Sequence, residues 1–313
     1  GEESDDETLG GAKMHSEISG LSDYLAEDEM DALRICREVV SHLNWSKKGN
    51  QPLNKSLEPK YDKEELLGIL SEDLKSAVDI KEIIARFADG SKFEEYKSLY
   101  GSSLVCGWAN VHGYQIGILG NNGPIYPESA EKGATFIQLC NKRNIPLIFL
   151  QNVTGFLVGK DFERQGIIKK GSQLINAVSN STVPHITFIV GASYGAGTYA
   201  MSGKAYNNRF TFLWPTAKIA VMGPEQMAGV MSIVRQAKSK RDGKKFDKKA
   251  DDQLKQMVTD YLEKLSHGLV ASSMLTDDGI IDPRDTRDII GFCLSIVNND
   301  EIQGAEEYGV FRL

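Results

Sequence analysis

The spacing of apolar positions changes near residue 101. Beyond it, short unbroken apolar runs alternate with longer amphipathic ones. Residues 146–152 (PLIFLQN), 186–190 and 210–214 are continuous apolar runs of strand length. Continuous rather than alternating hydrophobicity marks a strand covered on both faces. Between these runs, residues 128–142 and 167–178 repeat apolar side chains at helical spacing, with Ala130, Ala134, Ile137 and Leu139 facing inward in the first. Residues 103–111 and 114–119 read as two strands joined by a hairpin-like turn at His112-Gly113. Strand and helix therefore alternate in β-α units, with a hairpin in front that suggests ββα. The pattern predicts an α/β fold with mostly parallel strands. A third apolar run, 219–222, is followed by helices at 223–237, 253–265 and 285–297. A charged break at 238–251 and a strand-like exit at 278–283 separate them.

The first hundred residues have a different texture. Residues 1–25 are polar and lack a strong period. A helix is predicted from Ser22 or Asp23 as cap, with Leu25, Met30, Leu33, Ile35, Val39, Val40 and Leu43 near helical spacing. Residues 44–61 carry two prolines, as a loop does. Short helices are predicted at 64–70 and 79–88, the second ended by Asp89-Gly90.

Composition narrows the function class. The chain has 313 residues, 41% hydrophobic, enough to bury a sizeable core, and a formal charge of −7, which gives no reason to expect nucleic acid. The basic stretch 238–249 (KSKRDGKKFDKK) reads as a solvated loop or helix end. None of the four cysteines forms a CxxC, and the five histidines show no HExxH, so no metal site is expected. No run approaches the roughly 18 apolar residues of a membrane helix. The chain opens on an acidic segment without an initiator Met, which fits a cloned, processed or interior start.

Two glycine loops follow strands: Thr154-Gly155-Phe156-Leu157-Val158-Gly159 after 146–152, and residues 191–197 (GASYGAG) after 186–190. Both lie at the carboxyl ends of strands, where ligands sit in open α/β sheets. GASYGAG lacks the lysine of a phosphate loop and fits GxGxxG poorly. Ser193 is not in GxSxG, so a nucleophile elbow is unsupported. The turn is left with two readings. The N–H groups of Ala196 and Gly197, at a helix start, can hold an oxyanion, or the glycines only avoid a clash in a tight packing turn. Among nearby polar groups, His185 reads as a surface histidine, and Lys160, Glu163 and Arg164 as solvated charges. Tyr194 and Tyr199 read as packing rings, and Glu225 as a helix cap.

At this point a family resemblance appears. GFLVGKDFERQGIIKKGSQLINAV, VPHITFIVGASYGAGTYAMSGKAY and FLWPTAKIAVMGPEQMAGV resemble the carboxyltransferase (β) subunit of biotin-dependent acyl-CoA carboxylases. The nearest branch is that acting on 3-methylcrotonoyl-CoA. Four features carry the branch: GFLVG rather than GFLPG, SYGAGTYAM rather than AYGGAYDVM, the charged insertion 238–256 with DDGIIDPRDTR after it, and the ending EYGVFRL. The chain departs from the branch at HGLVASS, residues 267–273.

The resemblance implies a crotonase-like (ClpP/crotonase) ββα spiral. Residues 1–33 would be the tail of an N-terminal carboxyltransferase domain, 34–100 a helical connector and the start of the C-terminal domain, and 101–313 that domain. It implies carboxyl transfer from carboxybiotin to an acyl-CoA through ureido and enolate anions, each held by backbone donors. Ala196 and Gly197 map to the biotin-side oxyanion hole. Gly155, Phe156, Val158, Gly159, Gly166, Ile167, Tyr194 and Gly195 map to the biotin pocket. Such a donor is worth about 3 kcal/mol. Biotin would ride on a carrier domain not attached to this chain. A biotin carboxylase with its carrier would be the partner, in a homo-oligomer where the N-domain of one subunit faces the C-domain of another. The compartment implied is the mitochondrial matrix in a eukaryote or the cytoplasm in a bacterium. A decarboxylase subunit running the transfer in reverse, a carboxylase for propionyl-, acetyl- or geranoyl-CoA, and an enoyl-CoA hydratase or isomerase using Glu163 or Glu225 are the alternatives.

Overall fold

The computed structural model describes residues 1, 3–70, 78–206 and 208–310. The end of the EYGVFRL motif, residues 311–313, lies outside the described residues. The chain divides into two compact units, Gly1–Lys47 and Lys48–Leu313.

The first unit holds helical turns between Asp6 and Ser19 and helix α1 (Glu29–Ser41). That helix starts later than the sequence predicts. Its cap is Asp28, whose carboxylate accepts from the Asp31 amide at 2.8 Å, rather than Ser22 or Asp23. An aspartate directly ahead of the first helical turn satisfies an orphan N–H and meets the positive end of the helix dipole.

The second unit is built on a seven-stranded sheet. Strands β1 (Glu94–Glu95), β2 (Leu104–Val111), β3 (Tyr114–Asn121), β4 (Leu147–Val153), β5 (His185–Tyr194) and β6 (Phe210–Leu213) lie in that order, and β7 (Lys218–Ala220) pairs with the far end of β5. Pairing is antiparallel from β1 to β3 and parallel from β3 onward. The β2–β3 hairpin turns at His112-Gly113, as predicted, and both residues have positive φ (48° and 79°). The turn is held from beneath by Asp89, whose carboxylate accepts from the His112 and Gly113 amides at 3.0 and 2.8 Å. Arg287 donates to the same carboxylate at 2.8 Å, and both charged side chains are buried.

The sheet is covered on both faces, which is why its central strands are mostly apolar. On β4, Leu147 and Phe149 face one way and Ile148 and Leu150 the other. The first pair packs with helices α3 (Pro127–Lys142) and α4 (Ile167–Asn180) through Ala130, Ala134, Ile137 and Leu174. Leu139 is only half-buried, and Cys140 takes the inward slot the sequence assigns to it. The second pair packs with α2 (Ile80–Ala85) and the last helix, Thr286–Val297, through Ile80, Ile84, Ile290 and Leu294. Each such fully buried side chain contributes about 1.5–3 kcal/mol.

Candidate active site

Strand β5 is buried from end to end and runs four residues beyond the predicted 186–190. The predicted glycine-rich turn 191–197 is therefore mostly strand, and the change of direction falls at Gly195 alone. The extra length comes from a bulge. Gln151 pairs with Ile189, but Val153 pairs with Ser193, so β5 spends four residues where β4 spends two. The Asn152 carboxamide fills the gap, its oxygen accepting from the Ala192 amide at 3.2 Å. On the other side β7 takes over from β6, pairing with residues 192–194, and the Gly195 amide donates to Ala220 O at 3.0 Å.

Gly195 has φ 57° and ψ −138°. A side chain is strained there, and a Cβ would also stand 3.0 Å from Val221 O. From this residue the chain drops into a short helix, Ala196–Ala200, which packs beside α4. Ala196 is exposed and Gly197 buried. Their amides belong to the first turn, where no intrahelical acceptor exists, and neither has a backbone acceptor among the described residues.

The first glycine loop closes against this turn. A Cβ on Gly197 would lie 3.2 Å from Gly155 Cα, while a Cβ on Gly155 would meet only Tyr194 O, at 4.0 Å. Ile125 tethers the loop: its amide donates to Gly155 O at 3.0 Å, and its carbonyl accepts from the Leu157 amide at 3.1 Å. Phe156 turns inward over Gly171 of α4, so its ring belongs to the core layer. Val158 is 86% exposed at the loop tip. Gly159 precedes a helical turn, Lys160–Arg164. Gly166 (φ 82°) occupies the N-cap position of α4, and Ile167 is its buried first residue. The structure thus brings Gly155, Tyr194, Gly195, Ala196 and Gly197 together. Gly166 and Ile167 stand at the head of the neighbouring helix.

Tyr194 is buried, and burial first, then the negative charge of Glu263, pushes its hydroxyl up to about 12. It packs as a neutral phenol beside Gly223. Tyr199 is exposed, edge-on to Tyr206 at 5.8 Å. Glu163 and Glu225 are exposed. Glu225 lies in the first turn of helix Pro224–Arg241, and Gly223 holds the N-cap position.

His185 is not the surface residue its sequence setting suggests. It is 5% exposed, its ring lies 5.0 Å from that of Phe149, and both ring nitrogens are 2.8 Å from serine hydroxyls, Ser202 and Ser181. Burial lowers its pKa to about 4. The preceding proline marks the start of a central strand, already under the α3–α4 layer.

Gln151, Ser193 and Thr198, to which no motif assigns a role, form a polar cluster beneath the turn, with Gln151 and Ser193 fully buried. The available signal was the polar Gln-Asn pair ending an otherwise apolar strand.

A sheet that is parallel from β3 onward and layered by helices on both faces, with apposed glycine turns at the carboxyl ends of adjacent strands, is the crotonase-like arrangement. The chain belongs to the carboxyl transferase domain family, whose model matches residues 1–309. It is 55% identical over 314 residues to a probable biotin-dependent acyl-coenzyme A carboxylase beta2 subunit of Mycobacterium tuberculosis, covering 100% of this chain and 59% of that protein. It is 44% identical over 308 residues to the mitochondrial methylcrotonoyl-CoA carboxylase beta chain of Dictyostelium discoideum, covering 98% and 52%. Among solved structures, the beta subunit of P. aeruginosa geranyl-CoA carboxylase superposes with a TM-score of 0.85 at 43% identity, covering 99% of this chain and 59% of that one. The chain therefore spans between 52% and 59% of the length of these three proteins.

Proposed function

We propose that the enzyme containing this chain transfers a carboxyl group from carboxybiotin to an acyl-CoA, and that this chain supplies the biotin-side half of the site. The observation that carries the reading is the contact of the two glycine loops beside the amides of Ala196 and Gly197, which lack a backbone acceptor among the described residues. Two main-chain donors at a helix start suit a carbonyl oxygen that gains negative charge. The open space over Gly155 suits a flat ring. Carboxybiotin, when bound, would supply the transferable carboxyl group from its ureido nitrogen. The chain's own part is to hold and orient. Ala196 and Gly197 donate to the charged oxygen, Gly155 and Gly195 let the ring approach the backbone, and Tyr194 walls the pocket. Gly159, Gly166 and Ile167 set the course of the chain around it, Phe156 anchors the loop to the core, and Val158 stands at its rim. No side-chain base is needed when the departing biotin nitrogen can take the substrate proton.

The acyl-CoA half of the site would come from the N-terminal domain of a second subunit. A biotin carboxylase with its biotinyl carrier would complete the enzyme, in the mitochondrial matrix or the bacterial cytoplasm according to source. The names of several relatives favour 3-methylcrotonoyl-CoA as acceptor. The geranyl-CoA carboxylase match favours geranoyl-CoA as the second reading. Bicarbonate-dependent carboxylation of the two acyl-CoAs by the purified holoenzyme separates them through kcat/KM. An enzyme that carboxylates neither these nor propionyl- or acetyl-CoA would sink the proposal.

A further inference from the structure

Gln151 is fully buried on β4, on the face whose other occupants, Leu147, Phe149 and Val153, are apolar. Its carboxamide is used at both ends. Nε2 donates to Met201 O at 2.8 Å, and Oε1 accepts from Ser193 Oγ at 2.5 Å. The orientation is fixed chemically, because a main-chain carbonyl only accepts. Ser193 lies two residues before Gly195, and Met201 is the C-cap of the helix Ala196–Ala200. One planar group therefore ties together both ends of the segment that presents the Ala196 and Gly197 amides. The Ser193 hydroxyl extends the tie to Thr198 Oγ1 at 2.8 Å, inside the same helix.

We infer that Gln151 is a positioning residue for carboxyl transfer, fixing the direction of the Ala196 and Gly197 amides through Ser193 and Met201. The inference rests on reading those amides as the anion site. An apolar side chain would fill the same space at no polar cost, so a carboxamide in this apolar row has its use in the bonds it makes. The β5 bulge explains why such a tie is needed. Beyond Ile189 the regular β4–β5 ladder lapses and resumes only at Val153 and Ser193, so main-chain pairing with β7 holds one edge of the strand end and side chains complete its hold on the β4 side. Donors aimed at a developing charge lose most of their effect when their direction drifts.

The test uses the assembled enzyme carrying Gln151→Met, which keeps shape and volume but removes both bonds, and Ser193→Ala, which removes one. The expected result is a fall in kcat of about 10- to 100-fold, with the KM for acyl-CoA within about twofold of wild type, since acyl-CoA binds elsewhere. The double variant is expected to be no slower than the worse single variant, as for groups acting as one unit. Activity is expressed per folded subunit, well below the melting midpoint. Wild-type kcat in Gln151→Met, or a loss matched by its unfolded fraction, overturns the inference. Where Gln151→Met does not fold, Ser193→Ala decides by the same criteria. A wild-type enzyme that transfers no carboxyl group instead overturns the functional reading beneath it.

Discussion

A Cβ on Gly197 would stand 3.2 Å from the Cα of Gly155 and 2.8 Å from Val153 Cγ2. Gly155 and Gly197, 42 residues apart in sequence, thus meet through bare backbone, and Gly197 cannot gain a side chain at this contact without pushing the Gly155 loop away. Gly197→Ala is expected to cost about 1–3 kcal/mol of stability through overpacking. It is also expected to lower the rate of carboxyl transfer about 10-fold or more, because the donors move with the helix start. Chemical denaturation and steady-state kinetics on the same preparation check both. An unchanged rate would mean that the contact serves packing alone.

Ala196 is the first residue of its helix, the position where proline is best tolerated because its N–H has no intrahelical partner. Ala196→Pro therefore removes one proposed donor while sparing the helix. Transfer is expected to fall about 10²- to 10³-fold, with circular dichroism and oligomer size unchanged. Full turnover in a folded variant would remove Ala196 from the site.

His185 is buried neutral, with its pKa lowered to about 4 from 6.5. Between those values the unfolded chain binds a proton that the folded chain does not, so stability is present above pH 6.5 and lost as pH falls toward 4. The loss is about 3 kcal/mol. Melting midpoints measured from pH 7.5 to 4 should fall more steeply for the wild type than for His185→Gln. Parallel curves would place the acid sensitivity in other groups.

The Asp89–Arg287 pair locks the β2–β3 turn to the last helix, with both side chains buried. Removing Asp89 takes from Arg287 its buried counter-charge, leaving it the carbonyls of Phe87 and Leu57, and takes from the turn the acceptor of two amides. Asp89→Ala is expected to destabilise the second unit by about 3–5 kcal/mol, read from urea unfolding. A single variant as stable as the wild type would show the pair to be dispensable.

The strands and long helices were legible because burial on two faces leaves an unbroken apolar run and burial on one leaves a helical repeat. Leu147–Val153 and Pro127–Lys142 each lie within a residue of where the pattern puts them at both ends. The charged stretch 238–251 was less legible. Helices Pro224–Arg241 and Lys248–Ser266 run through most of it, because lysine and arginine are good helix formers whether or not one face is apolar. Polar residues misled most. His185 looks exposed by composition, and only the layer above it, with two serines at hydrogen-bond distance, makes it a core residue.

The α/β class, the two glycine loops after strands, and a motif set distinctive enough to mark the family can be read from the residues alone. These are local properties, set by side-chain period, by turn chemistry and by residue identity. That the loops touch, that the direction change falls on Gly195, and that Gln151 ties Ser193 to Met201 emerge only in the folded chain. Each depends on the register of β4 against β5 and on the bulge between them. That register is fixed by packing across the whole sheet, and no stretch of either strand encodes it alone.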